Sequence, residues 1–411
     1  MSALKQVEIE SIAAGGDGVG RSEGLVLFVP RTAPGDLVTV DFKSKGRFAR
    51  GAVRTIDRPA PSRVDPPCTH YTRDRCGGCQ IQHIDYSVQL VQKQHIVRDA
   101  MIRIGKRTVD APDIVASPKE WEYRTKLTLA IRRTGDRTIA GLHRYDNPAE
   151  VFDLRQCPIT DVRVVDAWLE IKQHLDLLPI DDPELRGSVR VSEQGTSFVL
   201  IGGLSWNDIS EFADAVKSLI AIWWEPREGR RQLVIDRRTH AEPLASFAQV
   251  NPSAATLLRN HVLDSVRSAA PAAVVDGYAG AGEMAIRLAE SGVRVTAIEL
   301  DPDASAWSGA NMPPGSQSIR GRVEDVLMGE LPADVVLLNP PRIGLDEGVP
   351  AILEHANPKP EKVIYTSCNP ATLARDVARM PGYRIAAMKA FDMFPQTAHV
   401  ETVCELVPDA A

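Results

Sequence analysis

Residues 4 to 56 alternate apolar and polar positions in short runs, VEIESI, LVLFVP, LVTVDF and GAVRTI, broken by AAGGDGVGRSEG and the Pro34-Gly35-Asp36 turn. Period-two alternation marks half-buried strands, and about five of them in about 55 residues predict a small closed β-barrel over residues 1–58. The prolines of DRPAPSRVDPP then read as a linker. Over residues 86–106, Leu90, Val91, Ile96, Val97, Met101, Ile102 and Ile104 recur at roughly helical spacing. This predicts an amphipathic helix that packs on a neighbouring domain, the C-terminal one. YRTKLTLAIRR, IAGLHRY and AEVFDLRQCPI read as strands. A helix over 162–178, a hairpin in SVRVSEQGTSFVLIGG and a helix near 207–220 complete a central α+β domain over 59–235. Trp206, Trp223 and Trp224 are expected in its core. From 236 to 411 the pattern becomes strand, glycine loop, helix, strand, in AAVVDG, YAGAG, EMAIRLAES and VRVTAIEL, followed by the strands ADVVLLNPPR and KVIYTSCNP. That is an α/β, Rossmann-like domain.

Composition narrows the picture only slightly. The 411 residues suffice for two or three domains, and 44% hydrophobic with 25% charged residues is ordinary for a soluble protein. No apolar run approaches membrane-spanning length, and MSALKQVEIE lacks a basic region leading into an apolar one, so a cytoplasmic location is expected. A net charge of −6 does not advertise a nucleic-acid binder, so any such contact must be local. One local cluster stands out: Lys43, Lys45, Arg47, Arg50, Arg54, Arg58 and Arg63 against Asp57, with Phe42 and Phe48 among them. It predicts a phosphate-and-base surface, with a solvated hairpin as the bland alternative.

Six cysteines in a chain of this kind point to metal binding or catalysis rather than disulfides. Cys76 and Cys79 flank two glycines that permit the tight turn converging two thiolates, and Cys68 and Cys157 can complete a four-thiolate site. Four soft sulfur ligands suit zinc or an iron–sulfur cluster. A redox dithiol would leave Cys68 and Cys157 unexplained. His70 and His83 read as surface residues, and Cys404 as core.

Cys368 ends the β-branched run VIYTS and precedes Asn369, an N-cap residue, and Pro370, suited to a first helical turn. A thiol on such a corner is expected to have its pKa lowered by the helix dipole and to serve as a nucleophile, with a buried structural cysteine as the alternative. Gly277, Gly280 and Gly282 allow close backbone approach to a ligand, and Glu299 ends the next strand at the distance expected of a ribose-binding acid. The Asn339-Pro340-Pro341-Arg342 loop is foreign to nicotinamide sites, so S-adenosylmethionine is the expected cofactor.

The whole chain resembles the bacterial RNA uracil-5-methyltransferases, which make 5-methyluridine. The resemblance runs through CGGCQIQHIDYSVQL, YRTK at Tyr123, CPIT at Cys157, SFAQVNP at Ser246, DGYAGAGE, ELD, NPPRIGLD, YTSCNPATLARD and FDMFPQTAHVETV. GGDGVGR and VLFVPRTAPGD resemble the TRAM domain, an RNA-binding barrel of the oligonucleotide-binding (OB-like) type. The resemblance implies Cys368 as nucleophile toward C6 of uracil, Glu401 as acceptor of the C5 proton and Arg342 in the active-site loop. It implies cofactor contacts from Gln249, Tyr278, Gly280, Gly282, Glu283, Glu299 and Asn339. It also implies a [4Fe–4S] cluster on Cys68, Cys76, Cys79 and Cys157, and ribosomal RNA rather than transfer RNA as the partner. No membrane or obligate protein partner is evident. Glu283 stands where the family often has asparagine, and Asn339 where it usually has aspartate. Two alternatives follow from the latter: amine methylation through the NPPR loop, or an RNA-binding factor with weak or lost methylation.

Overall fold

The computed structural model describes residues 3–43, 46–134, 137–179, 182–240 and 249–409. Ala3–Ile12, Gly18–Ser22, Leu25–Val29, Leu37–Phe42 and Phe48–Arg58 close into a five-stranded barrel. Its alternate residues Val7, Ile9, Leu27, Val29, Val38 and Val40 fill the interior. Phe42 joins them, whereas Phe48 is 63% exposed, so only the second expected aromatic is available to a base. Four of the five arginines of the expected basic cluster are paired and Arg47 stands exposed: Arg50 lies 3.0 Å from Asp17 and Arg63 2.7 Å from Asp36, while Arg54 and Arg58 pair with Asp41 and Glu8. Lys45 lies outside the described residues.

The central domain is built on a seven-stranded sheet in the order Gln232–Asp236, Leu219–Glu225, Thr196–Ile201, Glu184–Val191, Lys126–Thr134, Arg137–His143, Val151–Asp153. The helix Val162–Ile171 packs on one face, where Trp168, Phe198, Leu200 and Phe212 form the core. The helix expected near 207–220 is shorter, Ile209–Ala215, and LIAIWWE is a strand parallel to Thr196–Ile201. Its β-branched and aromatic residues suit a half-buried pleated surface better than a helix. Trp206 and Trp224 pack on this core. Trp223, one step along the strand, belongs to the opposite face.

The long helix Tyr86–Arg103 starts at Asp85, whose carboxylate accepts the Ser87 N–H at 2.9 Å. Its buried face is not the one the apolar spacing marks. Val91, Ile102 and Ile104 are exposed, while Gln89, Gln92 and Lys93 are buried beside Ile96, Val97 and Met101. Specific partners explain the difference. Gln89 and Gln396 exchange hydrogen bonds at 2.9 and 3.0 Å, and the Lys93 ammonium lies 2.5 Å from Asp392 and 3.0 Å from the Phe394 carbonyl. Both charges of the Lys93–Asp392 pair are fully buried. Removing one partner strands the other, so Lys93→Met is expected to lower unfolding stability by about 3 to 5 kcal/mol in chemical denaturation. A loss below about 1 kcal/mol would refute this role.

In the C-terminal domain we number the strands β1 Ala273–Gly277, β2 Arg294–Glu299, β3 Gln317–Arg320, β4 Val335–Leu338, β5 Lys362–Ser367, β6 Tyr383–Phe391 and β7 Glu401–Pro408. Their order is β3-β2-β1-β4-β5-β7-β6, and Asp113–Val115 adds an eighth strand beside β6. β7 alone runs antiparallel to its neighbours. Tyr86–Arg103 packs against the helix Pro370–Ala378, with Met101 beside Ala374 and Val377 in one core. Residues 86–115 therefore complete the C-terminal α/β unit from an earlier part of the chain.

Candidate active site

The parallel strands deliver their carboxyl ends to one edge, where open α/β sheets bind ligands. Cys368 follows β5 there. Because β7 is antiparallel, Ser367 pairs with Thr402, and Glu401 is brought to the same edge as Cys368. Both line an open cleft of about 2190 Å³, together with Arg342, His399 and Phe394. Asn369 caps the helix Pro370–Ala378 by accepting the Ala371 N–H at 3.1 Å, and Ser367 Oγ accepts the Asn369 N–H at 3.2 Å. Side chains thus use the donors that were expected to lower the thiol pKa. Burial and the Glu401 carboxylate instead raise the Cys368 pKa, with the Arg342 guanidinium opposing them. The expected depression is therefore corrected: desolvation outweighs the helix terminus.

Glu401 is 3% exposed, its Oε2 has no hydrogen-bond partner, and burial raises its pKa to about 7 against the opposing Arg342 charge. Burial, with help from Arg342, lowers the His399 pKa to about 4, so that imidazole is neutral near pH 7. The loop carrying Arg342 is strapped to the helix after Cys368. Arg375 donates to the carbonyls of Ile343 at 3.0 Å and Leu345 at 3.3 Å, and Asp376 accepts the Leu345 N–H at 2.8 Å. Gly344, at φ +83°, completes the strap, because a Cβ there would sit 2.5 Å from Asp376.

The other half of the cleft is built on β1 and β2. Tyr278 and Gly280 take positive φ, and Gly282, at φ +78°, begins the helix Glu283–Glu290. A Cβ on Gly282 would lie 2.1 Å from Ser308 Oγ, so only glycine fits. Glu299 accepts the N–H groups of Gly280 at 2.7 Å and Asp301 at 2.8 Å, leaving carboxylate lone pairs for a ligand. Gln249, Tyr278, Gly280, Glu283, Glu299 and Asn339 all line the cleft. Glu283 is already paired, 3.1 Å from Arg259 and 3.3 Å from Arg287. Of the SFAQVNP motif, residues 246–248 lie outside the described residues. Sequence reasoning passes over Asp276, whose buried Oδ2 lacks a partner and whose pKa burial and Glu299 raise to about 7. An acid closing the apolar strand AVVDG is the signal that marks it. An orphaned carboxylate, a glycine-lined approach and a ribose-competent acid fit S-adenosylmethionine.

Cys68, Cys76, Cys79 and Cys157 are free thiols in one neighbourhood. Burial, then the proximity of Cys157, raises the pKa of Cys79, and burial pushes Cys76 up to about 12. Thiols this reluctant to ionise need a cationic centre before they become thiolates. Among the described residues no three His, Cys, Asp or Glu side chains are arranged to hold a single metal ion. His70 and His83, expected at the surface, are buried. His70 is held by Asp74 at 2.7 Å and the Arg155 N–H at 3.0 Å, and His83 by the Tyr71 hydroxyl at 2.5 Å. Cys404 is core. No helix among the described residues is long and apolar enough to cross a membrane.

Comparison with known proteins matches this geometry. Residues 315–407 match the family described as tRNA (Uracil-5-)-methyltransferase. An RNA methyltransferase of Thermosynechococcus vestitus, named as uncharacterized, is 31% identical over 98% of both chains. A similarly named protein of Listeria innocua is 28% identical over 98% of this chain and 97% of its own. The crystal structure of Pyrococcus abyssi tRNA (uracil-54, C5)-methyltransferase in complex with S-adenosyl-L-homocysteine shares the fold. Its TM-score is 0.69 at 23% identity, over 98% of this chain and 100% of that one. The fold is that of an S-adenosylmethionine-dependent methyltransferase, and the relative 31% identical along the whole chain makes this an RNA methyltransferase. More particularly, the chain belongs to the RNA uracil-5-methyltransferase family.

Proposed function

We propose that the protein methylates C5 of a uridine in ribosomal RNA through a transient covalent bond between Cys368 and C6 of the base. The observation that carries this reading is the meeting of Cys368, Arg342 and Glu401 in one cleft, with a carboxyl group poised near neutrality. Glu299, Gly280, Tyr278 and Gln249 hold the cofactor, with Gly282 fixing the turn and Asn339 and Glu283 at the cleft wall. Bound there, S-adenosylmethionine supplies an electrophilic methyl group. Arg342 favours the Cys368 thiolate, which adds to C6 and makes C5 electron-rich. After C5 is methylated, Glu401 takes the C5 proton, the C5–C6 double bond re-forms and the thiolate leaves. The uridine must leave its stack to reach this depth. Amine methylation through Asn339 would need neither thiol nor buried base.

Nucleoside mass spectrometry of ribosomal and transfer RNA from cells lacking the protein tests both chemistry and substrate. Loss of 5-methyluridine from ribosomal RNA alone is expected. Loss confined to transfer RNA would overturn the substrate class, and unchanged levels in both would overturn the reaction.

We also propose that Cys68, Cys76, Cys79 and Cys157 hold a [4Fe–4S] cluster. Four neighbouring thiols, three of them buried, would supply the four soft ligands that such a cluster takes. Iron and acid-labile sulfide in equal amounts are expected after anaerobic purification, and both should be lost in Cys79→Ser. Zinc without iron would overturn the assignment.

A further inference from the structure

Residues 392–400 join the paired strands β6 and β7, and a connection of this kind normally runs over the surface. This one is buried at Met393 and Gln396, and it presents Phe394, Thr397 and His399 to the cleft beside Glu401. A buried carbonyl needs a donor, and four successive ones find theirs on distant segments. Met393 accepts from the Asn251 amide at 3.3 Å and Phe394 from Lys93 at 3.0 Å. Pro395 accepts from the Tyr123 hydroxyl at 2.9 Å, and Gln396 from the N–H groups of Gln80 and Ile81, both at 3.2 Å. Gln396 sits at φ +69°, a left-handed backbone that few residues other than glycine take. Gln89 holds it there. The Gln89 Oε1 accepts the Gln396 N–H at 3.0 Å, and its Nε2 donates to Gln396 Oε1 at 2.9 Å and to the carbonyls of Ile81 and Ile84 at 3.2 and 2.8 Å. Gln80 and Ile81 directly follow Cys79, and Tyr123 packs in one cluster with Cys68 and Cys79. Hydrogen bonds therefore join the cysteine segment to the loop that walls the cleft.

We propose that Gln89 and Tyr123 are positioning residues for methyl transfer, fastening the loop of Phe394, Thr397 and His399 to the cysteine segment, so that the shape of the cleft depends on an intact four-thiol site. The inference rests on the methyltransferase reading only for the reaction that the loop serves, and it requires no particular metal. Both residues are buried and act through the loop. The ladder of β6 and β7 holds the two strands without these bonds, so what they fix is the set of side chains between the strands.

The test is hydrogen exchange of the full chain read by mass spectrometry, beside methyl transfer to ribosomal RNA counted per bound cofactor. In Gln89→Met and in Cys79→Ser, the amides of residues 392–400 should exchange about tenfold faster, with β1, β4 and the Tyr278–Gly282 loop unchanged. In the same variants kcat should fall about 10- to 100-fold, while KM for S-adenosylmethionine stays within about twofold of wild type. Tyr123→Phe removes only the hydroxyl and should give the same pattern, which keeps the test open where a harsher variant does not fold. A merely structural role would speed exchange throughout the sheet and leave kcat per bound cofactor unchanged, and that result would overturn the proposal. Wild-type exchange over 392–400 in Gln89→Met and Tyr123→Phe would also overturn it. Wild-type exchange there in Cys79→Ser would overturn the dependence on the thiols. Faster loop exchange in the variants of a protein whose wild type forms no 5-methyluridine would sink the proposed reaction and leave the fastening of the loop standing.

Discussion

Cys368→Ala is expected to abolish methyl transfer, by a factor of at least about 10⁴, while S-adenosylmethionine affinity stays within about twofold of wild type. Uracil C5 is too weak a nucleophile to take a methyl group unless C6 is first attacked. A lost thiol therefore cannot be replaced by better positioning. The cofactor half of the cleft rests on β1 and β2 through Glu299 and the Tyr278–Gly282 loop. Cys368 follows β5, which β4 separates from β1 in the sheet. Methyl transfer from labelled cofactor and calorimetric titration of that cofactor separate the two effects. Residual transfer above about one per cent would exclude the covalent route. Loss of cofactor affinity would show that the thiol acts in docking.

Local chemistry was legible in the sequence where a short motif fixes its own geometry. The Ser-Cys-Asn-Pro corner announces strand end and helix cap together and sets a cysteine at the sheet edge, and the structure adds the antiparallel register of β7 that brings Glu401 to it. The glycine loop and Glu299 were legible for the same reason. Long-range pairing was not. Lys93 and Asp392 are 299 residues apart, and nothing in YSVQLVQKQHIV indicates that its polar face turns inward. The barrel arginines were read without the carboxylates that cross-strand pairing sets beside them. The thiol pKa was missed because a corner motif shows the helix end and conceals the burial around it. Asp276 was visible as a residue, while its missing partner needed three dimensions.

Glu401→Gln should arrest the reaction after methylation, with turnover reduced about 10² to 10⁴-fold and a protein–RNA adduct accumulating on denaturing gels. Gln keeps the shape but cannot take the C5 proton, so the thiolate has no route out. In the wild type the carboxylate is the working form, and turnover should rise as pH increases through about 7. Stability should move the other way. A carboxyl group whose folded pKa lies above its unfolded value stabilises fully below the unfolded pKa and loses that contribution as pH rises through the folded one. A rise from 4.5 to about 7 corresponds to a contribution of order 3 kcal/mol at about 1.4 kcal/mol per unit, lost between those limits. Glu401→Gln has no such group to ionise, so its stability relative to wild type should increase from pH 5 to pH 8 in urea denaturation. A variant that turns over normally, or whose relative stability is flat across that range, would remove Glu401 from the role of buried base. The opposite signs have one cause, since the desolvation that makes the carboxylate basic enough to take a carbon-bound proton also makes its ionised form costly to the fold.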